Sequence, residues 1–153
     1  SGIWWEKYSP LLHALSIKVI VHLILGLPHE TREMMSASVQ AIANLPVWGI
    51  KLQLLHVLSG TDLAAYYEKT HFPVFSMDEY CQMIIDCLEL LPPEMVIHRI
   101  TGDGPKDLLI APMWSTGKRT VLNQIHRRLK ERNTYQGRLA TKRWFYGWTS
   151  YFI

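Results

Sequence analysis

The sequence lacks most of the features that mark disulfide-rich, membrane-spanning and secreted proteins. It holds two cysteines among 153 residues, too few for a disulfide scaffold, and we expect both to be buried, inert thiols of a reducing cytoplasm. Its longest apolar run, of about ten residues, falls far short of the roughly 20 that span a bilayer. No basic segment leads into an apolar stretch at the start, so no secretory signal is expected. These absences favour a cytoplasmic protein without a membrane partner.

Short catalytic motifs are also missing. The chain contains no GxSxG, no phosphate-binding P-loop, no GxGxxG, and neither HxH nor HExxH spacing among its seven histidines. Cys81 and Cys87 lie six positions apart on a predicted helix, which is no metal signature. No protein-ligated metal is therefore predicted, and no short motif indicates which reaction the protein would catalyse.

Charge is low, at 19% of the residues against 48% hydrophobic ones, which excludes a disordered chain. It is also unevenly spread: residues 1–117 carry 7 basic and 12 acidic side chains, whereas residues 118–153 carry 9 basic and 1 acidic. The last part, 138–153, interleaves basic and aromatic residues. Such a tail could stack on RNA bases, or its aromatic residues could pack against the domain or a partner.

What the chain does have is a repeated alternation of strand and helix patterns. Apolar, β-branched runs at 17–25, 50–58 and 95–101 predict three strands, each stopped by glycine or proline. Helical spacing follows each strand, with Thr31 and either Thr61 or Asp62 as N-caps and a capping box from Ser76 to Glu79. This order predicts an α/β domain with a parallel sheet.

In a parallel sheet all carboxyl ends of the strands lie at one edge, where ligands bind. The segments GLPHET, LSGTDL and TGDGPKD follow the three predicted strands. Each of them combines glycine with a hydroxyl or carboxylate side chain. We therefore expect these three loops to converge on one site.

Several side chains on or after the strands are candidates for that site. His22 either lines a cavity or is a core histidine bonded to a neighbouring element. His56 lies near the end of the second predicted strand. His98 and Arg99 should face opposite ways, because side chains alternate along a strand. Arg99 either binds a carboxylate or phosphate or forms a salt bridge to Asp103 or Glu94, and Asp103 is either functional or part of an ordinary turn.

Three segments resemble the carboxyl-terminal half of YhcC-type radical SAM proteins, which are relatives of the oxygen-independent coproporphyrinogen oxidases and of the Elongator-like enzymes. They are VHLILGLPHET, IKLQLLHVLSGTDL and VIHRITGDGPKDLLIAPMW, the last followed by TYQG. The similarity covers roughly residues 15–137. The third segment is the most specific of the three.

The resemblance implies three parallel β/α units that form the second half of a partial (βα)6 barrel. In the family, the first half binds a 4Fe–4S cluster through CxxxCxxC, and the cluster chelates S-adenosylmethionine, whose reductive cleavage gives a 5′-deoxyadenosyl radical. This chain has no CxxxCxxC. It is therefore expected to comprise a half barrel, 1–137, without the cluster half, and a basic aromatic tail, 138–153.

The resemblance also suggests roles for individual residues. Those assigned to the cofactor are Ile24, Gly26, Glu30, His56, Arg99 and Asp103, and those expected to face the substrate are His22 and His98. Glu30 falls one place beyond the commonest spacing of the family. His29 stands where the family usually has glycine, and Gln53 where YhcC-type proteins tend to have histidine.

These observations lead to two functional hypotheses. In the first, the chain is the S-adenosylmethionine- and substrate-facing half of a radical SAM enzyme of unknown substrate, unable to turn over alone, with the cofactor and cluster held only by the longer protein. In the second, it is a non-catalytic module that binds RNA or protein. The expected partner is the missing amino-terminal barrel half or a second copy paired through the exposed sheet edge.

Overall fold

The computed structural model describes residues 2–102 and 104–141, with residues 2–6 described by their backbone alone. The helices are α1 (Gly2–Ala14), α2 (Arg32–Ala43), α3 (Asp62–Thr70), α4 (Met77–Leu90) and α5 (Lys118–Glu131). The strands are β1 (Ile20–Leu25), β2 (Gly49–Leu54), β3 (Val57–Leu58), β4 (Val96–Arg99) and β5 (Leu109–Ala111). A short 3-10 turn, Met113–Thr116, precedes α5.

The main sheet has three strands in the order β1-β2-β4, and both neighbouring pairs are parallel. Ile20 of β1 faces Gly49 of β2, which faces Val96 of β4, so the three strands start level with one another. The carboxyl ends of the strands therefore lie at the same edge. The predicted α/β class with a parallel sheet is confirmed.

Side-chain caps set the starts of three helices where the sequence predicts them. The hydroxyl of Thr31 accepts from the amide of Met34 before α2, and Thr61 caps α3 in the same way. Before α4, Ser76 and Glu79 form the predicted capping box. Each cap satisfies an amide that the first helical turn leaves without a partner, which fixes where the helix begins.

The helices cover one face of the main sheet. Leu25, Ile50, Leu52 and Leu54 project from β1 and β2 into a core that α2, α4 and α5 complete. The helical members of this core are Met35, Val39, Ile42, Ala43, Tyr80, Cys81, Met83, Ile84, Ile85, Cys87, Leu88, Val121 and Ile125. On the opposite face of the sheet the side chains are accessible.

The second predicted strand, 50–58, is wrong in its extent. β2 ends at Leu54, and the chain then turns so that β3 pairs antiparallel with β5 in a separate two-stranded sheet. That sheet has its own small core with Leu55, Val57, Ala64, Phe72 and Ala111. β2 and β3 supply apolar residues to two different cores, so the sequence shows one continuous apolar run. Such a run does not reveal that the pairing partner changes between the two strands.

The TYQG segment docks the chain after α5 onto the end of α4. The side-chain amide of Gln136 donates to the carbonyls of Pro92 and Met95, at 2.7 and 2.8 Å. Gly137 donates to the carbonyl of Leu88, and a Cβ at Gly137 would lie 2.6 Å from Cδ of Pro93. These contacts lie at the amino end of β4, away from the converging loops, so the segment serves the fold.

An ion pair strengthens the same docking. Arg138 donates to the buried carboxylate of Glu89 from Nε and Nη2, both at 2.9 Å, and Thr134 also hydrogen-bonds that carboxylate. The hydrogen bond from Arg138 is the main cause that lowers the pKa of Glu89. Residues 138 and 139 of the predicted tail are therefore attached to α4, whereas 142–153 lie outside the described residues.

Within the described part of the chain, none of the helices has both the length and the apolar character needed to cross a bilayer.

Replacing Arg138 by Met should destabilise the fold at neutral pH, because Glu89 loses its cationic partner while it stays buried. The pKa of Glu89 is lowered from 4.5 in the folded chain, so the pair stabilises fully above that value and its contribution is lost as pH falls through the folded pKa. The difference in free energy of unfolding between the chain and Arg138→Met should therefore shrink on acidification. Urea unfolding at several pH values measures this difference.

Arg127→Met is the matched control, since Arg127 and Glu131 form an exposed pair one turn apart on α5. Exposed pairs of this kind contribute little. An equal loss of stability in the two variants would contradict the docking role of Arg138.

Candidate functional site

One face of the main sheet, here called the open face, carries accessible side chains along all three strands. Ile24 is 43% exposed and Val96 is 36% exposed, and the imidazoles of His22 and His98 are exposed as well. Lys51 and Gln53 lie between them on β2, half-buried. His22 is therefore accessible in this chain, and both alternatives for its role stay predictions.

A bulge breaks the alternation of β4. Ile50 faces Ile97, but Lys51 faces Arg99, so His98 is the extra residue on β4. A Cβ at Gly49 would lie 2.7 Å from Cδ2 of His98, so the imidazole covers Gly49. The bulge therefore interrupts strict alternation between His98, which covers Gly49, and Arg99, which lines a pocket at the β4 edge together with Ile125 and Leu129.

His98 packs against an aromatic neighbour. Its ring centroid is 4.9 Å from that of Trp48, and Nζ of Lys18 lies 4.4 Å from the Trp48 centroid on the same indole. The three side chains hold the amino end of the open face together. His98 is thus positioned by packing and by the small residue, Gly49, beneath it.

The loops after β2 and β4 meet at His56. A Cβ at Gly102 would lie 2.2 Å from Cε1 of the His56 ring, and one at Gly104 would lie 2.9 Å from Nδ1. The two glycines of the GDG sequence therefore make room for an imidazole from the neighbouring loop. Asp103, between them, lies outside the described residues, so its assignment stays a prediction, as do both alternatives for Arg99.

The loop after β1 is held by Glu30. One carboxylate oxygen accepts from the backbone amides of Gly26 and Leu27, at 3.0 and 3.1 Å. Gly26 has a φ of +86°, and a Cβ there would lie 2.9 Å from the ring of Phe75. Glu30 thus closes a tight turn directly after the strand, and it does so from the position one place beyond the usual family spacing.

His29 lies in the same turn with a φ of +66°, in the left-handed region that favours glycine. A glycine at position 29, as the family usually has, would adopt this backbone conformation more easily than histidine. Its imidazole forms a 2.8 Å hydrogen bond with the hydroxyl of Tyr66 on α3, so the side chain points away from the turn. The loop after β1 is thereby tied to α3.

A pocket of about 470 Å³ lies between this turn and α3. Its volume is in the usual range for small-ligand pockets. Its lining is mixed, with His29, Glu30, Arg32, Tyr66, His71 and Phe75 among its residues. His71, which ends α3, also has a left-handed backbone, with a φ of +47°.

The APMW segment packs against residues that adjoin the carboxyl edge of the sheet. Nε1 of Trp114 donates to the carbonyl of Phe75 at 2.8 Å, and its ring packs on that of Tyr80. The hydroxyl of Tyr80 donates to the carbonyl of Ile100, directly after β4. The loops after β1 and β4 are thus joined through Phe75, Tyr80 and Trp114.

These contacts join the loop after β4 to the loops after β1 and β2, and His22, Ile24 and His98 lie at the open face. The convergence of the LSGTDL segment itself stays a prediction. Lys51 was missed as a candidate, although the alternation of Lys51 and Gln53 with Ile50, Leu52 and Leu54 in IKLQL was a signal for it. The roles assigned to the individual residues stay predictions.

Neither cysteine suits an iron–sulfur cluster, which binds thiolates. Cys81 and Cys87 are fully buried in α4, and burial raises the pKa of both thiols, that of Cys87 to about 12. Among residues 2–102 and 104–141, no three His, Cys, Asp or Glu side chains are placed to hold a metal ion. A cluster would need ligands that the described residues do not provide.

These features define an α/β domain whose parallel sheet presents one accessible face below a glycine-rich edge. The sequence model of the radical SAM C-terminal domain matches residues 47–131. The chain belongs to the radical SAM C-terminal domain family.

Curated relatives extend the comparison. The chain is 50% identical over 122 residues to the uncharacterized protein YtqA of Bacillus subtilis, covering 80% of this chain and 38% of that protein. It is 32% identical over 126 residues to the uncharacterized protein MJ0486 of Methanocaldococcus jannaschii, covering 82% and 39%. To protein YhcC of Escherichia coli it is 27% identical over 140 residues, covering 92% and 45%. The resemblance to YhcC-type proteins is confirmed, and the chain spans less than half the length of these relatives.

Among solved structures, Elp3 of the archaeon Methanocaldococcus infernus, with an N-terminal deletion of residues 1–46, matches with a TM-score of 0.66 at 18% identity. The match covers 82% of this chain and 30% of that one. At this identity the likeness concerns the fold.

The packing of His56 on Gly102 can be tested with a double-mutant cycle. Gly102→Ala should cost about 1–3 kcal/mol, the usual range for overpacking, because its Cβ would collide with the imidazole. In a His56→Ala background the same substitution should cost less by at least about 1 kcal/mol. Chemical denaturation of the four chains measures the coupling. Equal costs in both backgrounds would show that the ring does not occupy this space.

The backbone of His29 can be tested by comparing alanine with glycine. Both variants lose the hydrogen bond to Tyr66, but alanine keeps a Cβ at a left-handed φ, which costs about 1–2 kcal/mol. His29→Gly should therefore be more stable than His29→Ala. At Glu68, inside α3, the order should be reversed, because glycine costs about 1 kcal/mol relative to alanine in a helix. The same order at both positions would contradict the turn geometry.

Proposed function

We propose that the chain is the S-adenosylmethionine- and substrate-facing half of a radical SAM iron–sulfur enzyme, completed by a cluster-binding half. The single observation that carries this proposal is the accessible open face of a parallel sheet. Parallel sheets are normally covered on both faces, yet here Ile24 and Val96 are exposed opposite a helix-covered face.

The order of the elements favours a barrel for the complete protein. The strands are adjacent in chain order, β1-β2-β4, and α2, α4 and α5 pack on the same face. A doubly wound sheet places helices on both faces, whereas a β/α barrel places them all outside. The three β/α units then form the second half of a (βα)6 barrel, with the open face as its interior.

Family membership implies an iron–sulfur cluster and S-adenosylmethionine, and the two groups fit this chain differently. Cys81 and Cys87 are buried away from the open face and do not fit the cluster, so its ligands belong to the other half. Ile24, exposed on the open face two residues before the turn at Gly26, offers an apolar surface that fits an adenine ring. In the complete family proteins the cluster supplies the electron for reductive cleavage of the cofactor.

The residues of this chain have a different task. Ile24 would contact the adenosyl group, Glu30 would hold the turn that positions that contact, and the open face would receive the substrate. Closure by the second half would exclude water from the reaction. The relatives support this division, because this chain accounts for only 38–45% of their lengths.

The test joins this chain to the remaining part of YtqA, the relative with which it shares 50% identity. Reconstituted with iron and sulfide without oxygen, the chimera should turn brown and, with a reductant, convert S-adenosylmethionine into 5′-deoxyadenosine. The present chain alone should stay colourless. A chimera that folds but neither colours nor cleaves the cofactor would refute the proposal and favour a non-catalytic module.

A pair of variants tests which face the second half covers. Ile24→Ser should lower cofactor cleavage in the chimera, while it changes the stability of the present chain by less than about 0.5 kcal/mol, as expected of an accessible position. Met34→Ser is the control, because Met34 is 54% exposed on the outer helix α2. Light scattering should show that the present chain self-associates, as expected if the open face or the β1 edge is uncovered, and that the chimera does not. Equal effects of the two variants would mean that the open face is not the interior.

A further inference from the structure

We infer that the pocket between the turn after β1 and α3 binds a small organic cation, an ammonium group attached to an aromatic or apolar body. This site is separate from the open face, and the inference goes beyond the proposed function. The observation behind it is a pocket of about 470 Å³ that combines aromatic walls with two carboxylates, neither of which forms an ion pair with a described residue.

The pocket lies on the helix side of the sheet. Its lining includes Met35 of α2 and Phe72, which are only 2% and 5% exposed, and Met35 belongs to the core beneath the helices. Glu79 of α4 lines it as well. The described side chains of the open face, from His22 on β1 to His98 on β4, are not among the lining residues. A ligand in this pocket would therefore leave the open face free.

Aromatic rings form much of the wall. Tyr66 is 37% exposed, and its ring stacks on that of the buried Phe72, with the centroids 5.8 Å apart. Phe75 lines the pocket from the segment before α4, and Leu27, 45% exposed, adds apolar surface from the turn after β1. The faces of aromatic rings attract cations, and an apolar body would remove the exposed surface of Tyr66 and Leu27 from water.

The charged groups of the lining favour a cation. Glu30 accepts from two backbone amides, and Glu79 accepts from the amide and the hydroxyl of Ser76. In both cases the hydrogen bonds go to Oε2, which leaves Oε1 able to accept from an ammonium group. Arg32 also lines the pocket, but its guanidinium already pairs with Asp86 at 2.8 Å.

An anion fits the same lining poorly. The caps of α2 and α4 already bind first-turn amides, through the hydroxyls of Thr31 and Ser76. The hydrogen bonds from Ser76 are the main causes that lower the pKa of Glu79, and the charge of Arg32 is the smallest cause. Glu79 is therefore negative at neutral pH with little compensation from Arg32. An anion in the pocket would be repelled by this carboxylate and by Glu30.

The experiment titrates the present chain with three probes that share a phenyl ring and differ in charge: phenylethylammonium, 2-phenylethanol and 3-phenylpropionate. Ionic strength is held constant at pH 8, where histidine side chains are ordinarily neutral. Phenylethylammonium should bind at least about threefold more tightly than the alcohol, and 3-phenylpropionate should bind most weakly. In NMR spectra the resonances of Tyr66 and Val74 should shift, whereas those of Ile24 and Lys51 should stay in place.

Glu79→Gln tests the carboxylate. Glutamine can keep the capping box of α4, so this variant should bind phenylethylammonium about threefold more weakly or worse and leave 2-phenylethanol binding unchanged. Glu68→Gln is the matched control, because Glu68 is exposed on α3 and lies outside the lining. It should change the binding of neither probe.

Tyr66→Leu and Tyr66→Phe test the aromatic wall. Both variants lose the hydroxyl that bonds His29, so a difference between them reports the ring itself. Tyr66→Phe should keep the preference for phenylethylammonium over the alcohol, and Tyr66→Leu should reduce that preference about twofold or more. An equal preference in the two variants would remove the ring from the site.

Absence of binding by all three probes, equal binding of the cation and the alcohol, or shifts confined to the open face would overturn the inference. The same holds if Glu79→Gln binds phenylethylammonium as tightly as the unchanged chain does. These outcomes are separate from the chimera test, because the titration needs neither the second half nor the cofactor. A chimera that cleaves S-adenosylmethionine while no probe binds leaves the proposed function intact and removes this inference alone.

Discussion

The structure depends on a parallel ladder that is covered on one side only. The register of β1, β2 and β4 fixes which residues point to the helices and which do not, because one step along a strand reverses the face. Leu25, Ile50 and Leu52 form the core on one side. The same register places His22 opposite Lys51 on the other side. A single set of backbone hydrogen bonds therefore determines both the stability of the domain and the chemistry of its accessible face.

Glycine has a consistent role around this ladder. At three positions the space left by a glycine is filled by the protein's own side chains. Gly26 adjoins Phe75, Gly102 adjoins His56, and Gly137 adjoins Pro93. These contacts fix loop positions. Gly26 and Gly102 lie in loops at the carboxyl edge of the sheet, where a site requires precisely positioned loops, whereas Gly137 serves the fold at the opposite end.

Local signals predicted what is determined locally. Thr31, Ser76 and the strand–helix alternation were readable because caps and periodicity depend on neighbouring residues. The bulge at His98 could not be read, since it depends on the register between β4 and β2. The pairing of β3 with β5 was hidden for the same reason. Of the site, the meeting of the loops after β1 and β4 and the place of His22 on β1 were predictable, whereas the position of Lys51 opposite His22 needed three-dimensional pairing.

The open face carries apolar surface that is unfavourable in an isolated domain. Ile24 and Val96 are exposed to water on the side of the sheet opposite its helix-covered face. Parallel sheets are normally covered on both faces, because their strands bury apolar side chains on each side. A cover of protein over Ile24 and Val96 would remove this cost, so their exposure favours the proposed covering half over a bare docking surface.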